Sequence, residues 1–190
     1  MATYKRYRKE DQVSYSLGIT LTFELLKFKK ESVTRVFIHS GMKKGDTLDK
    51  LILLCKEANV EMVYTDKIFH VLSQKENCYV IGEFHKFTSK LSTQRNHIVL
   101  VNPSNAGNMG TIMRSALGFG MNQMAIIRPA VDAFDPKVVR ASMGAIFSTD
   151  FYILIHLKNT KRYMVKENYI HLCWMRSAAC MMFARKDVSH

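Results

Sequence analysis

A buried strand, a glycine-rich turn and a helix follow one another directly in the middle of this chain. Residues 98–101, Ile-Val-Leu-Val, have the composition of a buried strand, and Pro103 bars the strand from continuing. Apolar residues then recur every three or four positions over 109–117, which is the spacing of one helix face. Strand, turn and helix in this order build parallel α/β sheets, in which ligands bind beside the carboxyl ends of the strands.

Asn108 and Arg114 are the side chains after this turn that could carry chemistry. In a helix, positions six residues apart lie ~9 Å apart along the axis and about 120° apart in angle, so both could line one side of a cleft. The alternative is that Asn108 only caps the helix and that Arg114 is a solvated surface residue. The glycines at 107 and 110 do not have the spacing of the dinucleotide fingerprint, and no Walker-type Gly-Lys-Ser/Thr follows them.

Two segments of the sequence carry a family resemblance. Residues 102–116 read Asn-Pro-x-Asn-x-Gly-Asn-x-Gly-Thr-Ile-x-Arg-x-Ala, where x stands for any residue. This pattern resembles the first motif of the SpoU, or TrmH-type, RNA ribose methyltransferases of the SPOUT superfamily. Residues 136–147 resemble the segment that these enzymes carry after their second strand. The resemblance extends over residues 1–157 and is strongest over residues 98–149.

The resemblance implies an activity, a cofactor, a partner and a fold. SpoU enzymes transfer a methyl group from S-adenosylmethionine to a ribose 2′-hydroxyl of RNA, here rRNA or tRNA, and they form homodimers. The fold class expected is α/β. A small αβ substrate-binding domain (1–84) and a linker (85–96) precede an incomplete, SPOUT-like parallel-sheet domain (97–157), whose knot region is missing, and an atypical tail (158–190).

The resemblance also implies roles for single residues. Arg114, matched to the family's catalytic arginine, is expected to hold the target phosphate and hydroxyl, and Asn108 to orient Arg114 or the ribose by hydrogen bonding. The residues expected to support the loop are Asn105, Gly107, Gly110, Ser142 and Gly144. For the last two, plain helix-end packing is the alternative. The residues expected to contact RNA are Lys5, Arg6, Arg8 and Arg140.

The family's donor pocket has no counterpart in the sequence. Its Asn-Glu-x-x-Gly-type loop and its Ser-Leu-Asn stretch are both missing after residue 150, so no cofactor-binding residue is named. The expectation is a truncated or frame-shifted member of the family, inactive if the pocket is lost. The alternative function is a non-catalytic RNA-binding module. An unrelated nucleotide-binding protein is a third reading, which the missing phosphate-loop motif disfavours.

The chain is strongly basic. Its 28 lysines and arginines against 16 acidic residues give a formal net charge of +12. Such an excess indicates a polyanionic partner, either nucleic acid or an anionic membrane face. No stretch reaches the ~18 apolar residues that a membrane span needs. Four cysteines in no common zinc spacing and a start without an apolar core predict no metal site and a cytoplasmic location.

The order of elements is predicted from the periodicity. A basic, aromatic arm at 4–11 is either an RNA contact, through stacking and phosphates, or a solvated segment. The predicted helices are 12–30, 46–58 (capped by Asp46 or Thr47), 65–72, 108–118 and 136–143 (capped by Asp135). The predicted strands are 33–39, 60–64, 78–82, 98–101, 123–127 and 151–155. In the tail, 161–169 is a candidate basic helix, and 170–183 is either a buried or partner-facing helix or a poorly ordered end.

Overall fold

Two β-sheets with helices against them make up the part of the chain that the computed structural model describes. That part comprises residues 4–73, 77–90, 92, 95 and 97–154, with the strands 171–173 and 180–184. The first unit contains β1 (Val13–Leu17), α1 (Ile19–Phe28), a 3-10 turn (Lys30–Ser32), β2 (Val33–Ile38), α2 (Asp46–Glu57), β3 (Glu61–Tyr64), α3 (Lys67–Leu72) and β4 (Val80–His85). The second contains β5 (His97–Val101), α4 (Ala106–Gly118), β6 (Gln123–Ile127), α5 (Pro136–Ala141), α6 (Ala145–Ser148), β7 (Asp150–Leu154), β8 (His171–Cys173) and β9 (Cys180–Ala184).

The first sheet is mixed, with the order β1-β4-β2-β3. Only β2 and β3 run parallel, while β4 pairs antiparallel with β1 and β2. Side chains alternate across β2, so Val36 faces the helices α1 and α2 while Phe37 faces α3 on the other side. The sheet is therefore covered by helices on both faces.

The helix predicted over residues 12–30 is wrong in its first third. Residues 13–17 form β1, which pairs antiparallel with β4, and α1 begins only at Ile19. Gly18 separates the two elements with φ 113°, a conformation that favours glycine. The apolar spacing of Leu21 and Leu25 is helical, but Leu17, which extends it backwards, also fits the alternation of a strand. The segment forms a strand and not a helix because it pairs with β4, a long-range contact that the spacing of apolar residues does not show.

The predicted helix caps were half right. Asp135 caps α5, because its Oδ1 accepts a hydrogen bond of 2.8 Å from the backbone N–H of Lys137. Neither Asp46 nor Thr47 caps α2. That position belongs to Gly45, and no side chain accepts a hydrogen bond there. The acidic first turn of α2 still favours the helix through its dipole, without a cap.

The second sheet has the order β7-β6-β5-β9-β8. Strands β5, β6 and β7 run parallel, which confirms the predicted βαβαβ unit.

The helix prediction for 170–183 is wrong where the structure describes this segment. The backbone of β9 pairs antiparallel with β5, with Val101 opposite Cys180, and β8 pairs with β9. This pairing satisfies the backbone groups that β5 would otherwise expose at a sheet edge. The helix predicted at 161–169 lies outside the described residues.

The two units share one hydrophobic core. Five phenylalanine rings with centroid separations between 5.1 and 6.3 Å connect them: Phe84, Phe87, Phe134, Phe147 and Phe151. The first two come from the end of β4 and the residues after it, where the linker was predicted to begin. His85 itself lies in β4. The start of the predicted linker is therefore part of a packed core.

Polar contacts reinforce this junction. The hydroxyl of Ser14 in β1 donates to the carbonyl oxygen of Phe134, and both residues are buried. At the turn before α6, Gly144 has φ 87°, and a side-chain carbon added there would lie 2.9 Å from the Cβ of Glu24. The contacts fix α5 and α6 against β1 and α1. Within the described ranges, no helix is long and apolar enough to cross a bilayer.

Candidate functional site

The turn between β5 and α4 is held by backbone hydrogen bonds to the neighbouring strand and loop. The N–H of Asn102 donates to the carbonyl of Ile127 at 3.2 Å, and the N–H of Val131 donates to the carbonyl of Pro103 at 2.8 Å. Asn102 has φ 51°, a conformation that asparagine tolerates better than most residues. The turn is therefore fixed against the loop that follows β6.

Asn105, not Asn108, caps helix α4. The Asn105 Oδ1 accepts a hydrogen bond of 2.9 Å from the backbone N–H of Asn108. The alternative interpretation of Asn108 as the capping residue is therefore wrong, and its side chain is exposed. A side-chain carbon at Gly107 would lie 3.2 Å from the Asn105 Oδ1, so the glycine leaves room for the cap. Asn105 and Gly107 thus shape the start of the helix.

Asn108 and Arg114 lie on the same exposed side of α4. The opposite side is buried, through Met109, Met113 and Ala116. At about 100° per residue, Arg114 is about 120° from Asn108, and the exposed Thr111 lies between them. Helical side chains tilt toward the amino terminus, so the long Arg114 side chain leans back toward the level of Asn108. A single group could therefore contact both side chains.

Gly110 brings α4 into close contact with α5. A side-chain carbon at Gly110 would lie 2.6 Å from the Cβ of Ala141 and 2.6 Å from the backbone nitrogen of Ser142. Arg114 is about 40° around the helix from Gly110 and ~6 Å further along it. Arg114 therefore lies at the border of the exposed side nearest to α5, where Arg140 is also exposed.

Ser142 and Gly144 do not reach the exposed side. Ser142 is fully buried, and its hydroxyl donates to the carbonyl of Val139 at 2.8 Å. Gly144 begins α6 in a left-handed conformation against Glu24. Both contacts are helix-end packing, the alternative weighed for these residues. They set the position of α5 relative to α4 rather than contacting a ligand themselves.

The amino-terminal arm has a basic outer side and an aromatic inner side. Lys5, Arg6 and Arg8 are exposed, whereas Tyr4 and Tyr7 are half-buried. The Tyr4 ring packs edge-on against Phe37, with ring centroids 5.6 Å apart. The two tyrosines therefore contribute to the fold, and stacking of their rings on RNA bases stays a prediction. Phosphate contacts by the outer cations remain a prediction.

Asp132 joins the arm to the loop after β6. Its carboxylate accepts hydrogen bonds from the hydroxyl of Tyr7 and, at 3.0 Å, from the Nζ of Lys86. Burial, and then the hydrogen bond to Asp132, raise the pKa of Tyr7 above its ordinary value, so the phenol stays protonated and donates. No sequence pattern points to this trio, because its members come from three distant segments.

Arg128 is exposed at the carboxyl end of β6 and was not among the predicted site residues. A signal for it existed, because it directly follows a predicted parallel strand at the ligand-binding edge of the sheet. The backbone of Asn102 bonds to Ile127, and that of Arg128 bonds to Leu154 at 2.9 Å. These bonds extend the parallel ladder of β5, β6 and β7, and no described residue at this edge is assigned to S-adenosylmethionine.

The described part of the chain holds no cluster of metal ligands, and a cavity that it does hold lies outside the unit that contains α4. Among the residues that the structure describes, no three histidine, cysteine, aspartate or glutamate side chains are grouped to hold a metal ion. A cavity of about 340 Å³ lies in the first unit, lined by residues 41–47 and Tyr79. This cavity and α4 belong to different units of the chain.

Known proteins match both the sequence and the fold. Residues 95–184 match the model of the SpoU rRNA Methylase family. The human protein "rRNA methyltransferase 3, mitochondrial" is 29% identical over 93 residues, which are 49% of this chain and 21% of that protein. The "23S rRNA (uridine(2479)-2'-O)-methyltransferase" of Streptomyces viridochromogenes is 44% identical over 46 residues, which are 24% of this chain and 16% of that protein.

Solved structures share the fold over most of the chain. An rRNA methyltransferase from Sinorhizobium meliloti has a TM-score of 0.68 at 18% identity and covers 82% of this chain and 60% of its own. The SpoU methyltransferase AviRb from Streptomyces viridochromogenes, in complex with the cofactor AdoMet, has a TM-score of 0.67 at 17% identity, over 82% and 59% of the chains. This chain thus spans about six tenths of these solved chains and, for the human relative, about a fifth. The match to the SpoU rRNA Methylase family thus covers residues 95–184 and includes the motif at 102–116, where the sequence showed the resemblance.

Proposed function

We propose that this chain acts on RNA and serves the transfer of a methyl group from S-adenosylmethionine to a ribose 2′-hydroxyl of rRNA or tRNA. One observation supports the proposal most: Asn108 and Arg114 occupy the same exposed side of α4, beside the contact with α5. This side lies directly after the carboxyl end of a parallel strand, where ligands of such sheets bind.

Arg114 holds the nucleotide in this proposal. A guanidinium is a poor base, but its planar fork can donate two hydrogen bonds to a phosphate at once. Arg114 binds the phosphate beside the target ribose and donates to the attacking hydroxyl oxygen, which keeps this oxygen in place. The proton that the hydroxyl loses on methylation would pass to the RNA phosphate or to water. Asn108 offers both a donor and an acceptor, so it orients either the ribose or the guanidinium. The amino-terminal end of α4 adds a partial positive charge near the phosphate.

S-adenosylmethionine would supply the methyl group, and no described residue is assigned to hold it. The remaining RNA contacts in the proposal come from exposed cations outside α4: Lys5, Arg6, Arg8 and Arg140. Each would pair with a phosphate and so add affinity without base specificity. Assembly as a homodimer and a cytoplasmic location remain predictions from the sequence.

A non-catalytic RNA-binding module is the second candidate. One observation favours it, namely that the family's two donor-pocket motifs, the Asn-Glu-x-x-Gly-type loop and the Ser-Leu-Asn stretch, are missing from the sequence after residue 150. Such a module would keep the cations and the contact between α4 and α5, because RNA binding needs only these.

The two candidates differ in donor binding and in turnover. Titration calorimetry with S-adenosylmethionine, followed by transfer of a tritiated methyl group to unmodified rRNA transcribed from the same organism, separates them. Heat of binding together with label in the RNA supports the methyltransferase. RNA binding without donor binding supports the module. If the chain neither binds RNA nor transfers label to it, both candidates are rejected.

A further inference from the structure

We propose that the arm at residues 4–9 and the loop at residues 128–132 form one basic strip that binds the RNA strand next to the nucleotide held by Arg114. This inference rests on the proposed RNA function and adds a path for the RNA to it. It also assigns Arg128, which neither the family motif nor the charge pattern singled out, and gives Lys9 of the basic arm a place beside the loop.

The arm is docked and is not a free tail. Tyr7 donates to Asp132, Lys86 bonds to the same carboxylate, and the Lys86 Nζ also donates to the carbonyl of Lys9 at 2.6 Å. The Lys86 and Asp132 side chains are only 16% and 12% exposed, so this ion pair is shielded from solvent. The Lys9 Nζ adds a hydrogen bond of 3.3 Å to the carbonyl of Ala130. These contacts hold the arm against the loop after β6.

That loop is in turn bonded to the turn that begins α4. The neighbour of Ala130, Val131, donates its N–H to Pro103 in the turn. Two hydrogen bonds, joined through the peptide bond between Ala130 and Val131, therefore lead from the amine of Lys9 to the turn. An RNA strand that lies on the arm is thus already beside the start of α4.

The strip carries an excess of positive charge. Five cations are exposed on it: Lys5, Arg6, Arg8, Lys9 and Arg128. Its acidic groups are largely engaged. Asp132 is paired with Lys86, and Asp11 accepts the backbone N–H of Arg8 at 2.7 Å. Glu10 is the exposed carboxylate among residues 4–11. A row of cations with one opposing carboxylate suits a sugar-phosphate strand, whose charges repeat along its length.

The salt dependence of RNA binding tests the strip. The triple variant Lys5→Ala, Arg6→Ala, Arg8→Ala is compared with Lys30→Ala, Lys50→Ala, Lys56→Ala, which loses the same charge. Lys50 and Lys56 are on α2, across the first sheet from the arm. Binding of a fluorescent 20-nucleotide single-stranded RNA is measured at several salt concentrations. Removal of three phosphate contacts should lower the slope of log affinity against log salt by about 2, while the control keeps its slope. If the two triple variants have equal slopes of log affinity against log salt, the proposed strip is rejected.

Photo-crosslinking then tests the path. A benzoylphenylalanine is placed at position 8, at position 128 or at Thr111 on α4, and a fourth at Lys56 serves as the control. With rRNA transcripts, the first three should mark nucleotides within the same short stretch of RNA. Marks from position 8 that are scattered like those of the control overturn the inference. Both readouts are independent of methyl transfer, so an inactive chain with a shared crosslink would reject the enzyme proposal while leaving the strip intact.

Discussion

Gly110 of α4 lies against the backbone of Ser142, so closely that a side-chain carbon at position 110 would come within 2.6 Å of the Ser142 nitrogen. The contact determines how α4 packs on the end of α5. It also determines where the exposed side of α4, with Asn108 and Arg114, faces. A glycine of the family motif thus acts through packing, two residues away from the asparagine proposed to touch the ligand.

Gly110→Ala should therefore destabilise the protein. The added methyl group meets backbone on the other side, which cannot move aside as a flexible side chain can, so a loss of about 1–3 kcal/mol in the free energy of unfolding is expected. Urea unfolding followed by circular dichroism measures it. Gly118→Ala is the matched control, because nothing lies within 4 Å of a carbon added at this position of the same helix. Equal stability of the two variants would contradict the close contact.

The two predicted helix caps give a second comparison. Asp135→Ala removes a hydrogen bond to the backbone of Lys137 at the start of α5, and should cost about 1 kcal/mol of stability. Asp46→Ala removes a carboxylate from the first turn of α2 without breaking a cap, so its effect should be smaller. Thermal unfolding of both variants at the same pH decides. A larger loss for Asp46→Ala would show that the structure misplaces the caps.

Arg114 offers a test of function that does not disturb the fold. Because the side chain is exposed, Arg114→Ala should leave the free energy of unfolding within about 0.5 kcal/mol. One lost phosphate contact should weaken the binding of RNA about fivefold at 0.1 M salt. Arg114→Lys should restore part of this affinity but not methyl transfer, because an ammonium cannot donate the paired hydrogen bonds of a guanidinium.

Ser115→Ala, a neighbouring exposed position on α4, serves as the control for Arg114. Fluorescence titration with rRNA transcripts gives the affinity, and tritium transfer gives the activity. Normal binding and normal transfer by Arg114→Ala would remove this residue from the site.

Cys55 should make the protein less stable at alkaline pH. Burial raises the pKa of this thiol from 9 to about 11 in the folded chain. Its contribution to stability is therefore complete below pH 9 and is lost as the pH rises through 11, because the unfolded chain releases the proton first. Between these values the free energy of unfolding should fall by about 1.4 kcal/mol per pH unit for this group.

Urea unfolding of wild type and Cys55→Ala at pH 8, 9, 10 and 11, in the presence of reductant, isolates the Cys55 contribution. Other groups, among them Tyr15, whose pKa burial raises from 10 to about 12, titrate equally in both proteins. The difference in stability between the two proteins should therefore shrink above pH 9. A difference that stays constant with pH would show that the thiol does not ionise on unfolding.

Periodicity predicted most of the second unit because its pattern was unambiguous. Strand β6 occupies the predicted residues 123–127, and α5 starts at Pro136 after its predicted cap. Where two periods overlapped, the prediction failed, as at Leu17, which suits both a strand and the helix after it. Long-range pairing decided such cases, and it is invisible to a local pattern. The same reason explains β9, whose place beside β5 depends on a contact some 80 residues apart in sequence.

The site was predictable only in its chemistry. The motif pointed to Asn108 and Arg114, and helix geometry predicted that both side chains lie on the same side of the helix. It did not reveal that Asn105 is the cap, since both asparagines suit that position. Nor could it reveal the contacts of Tyr7, Lys86 and Asp132. The local sequence around each of these residues is the same as that of a solvated surface residue, and the three come from distant segments.

The five packed phenylalanines between the two units limit which fragments of this protein can be expressed in soluble form. A fragment that begins at residue 95, where the family match starts, would leave Phe134, Phe147 and Phe151 without Phe84 and Phe87. The aromatic surface that these three side chains would then expose to water promotes aggregation. Insolubility of such a fragment would therefore say nothing about the family domain itself. Expression work should keep the chain whole from its first strand.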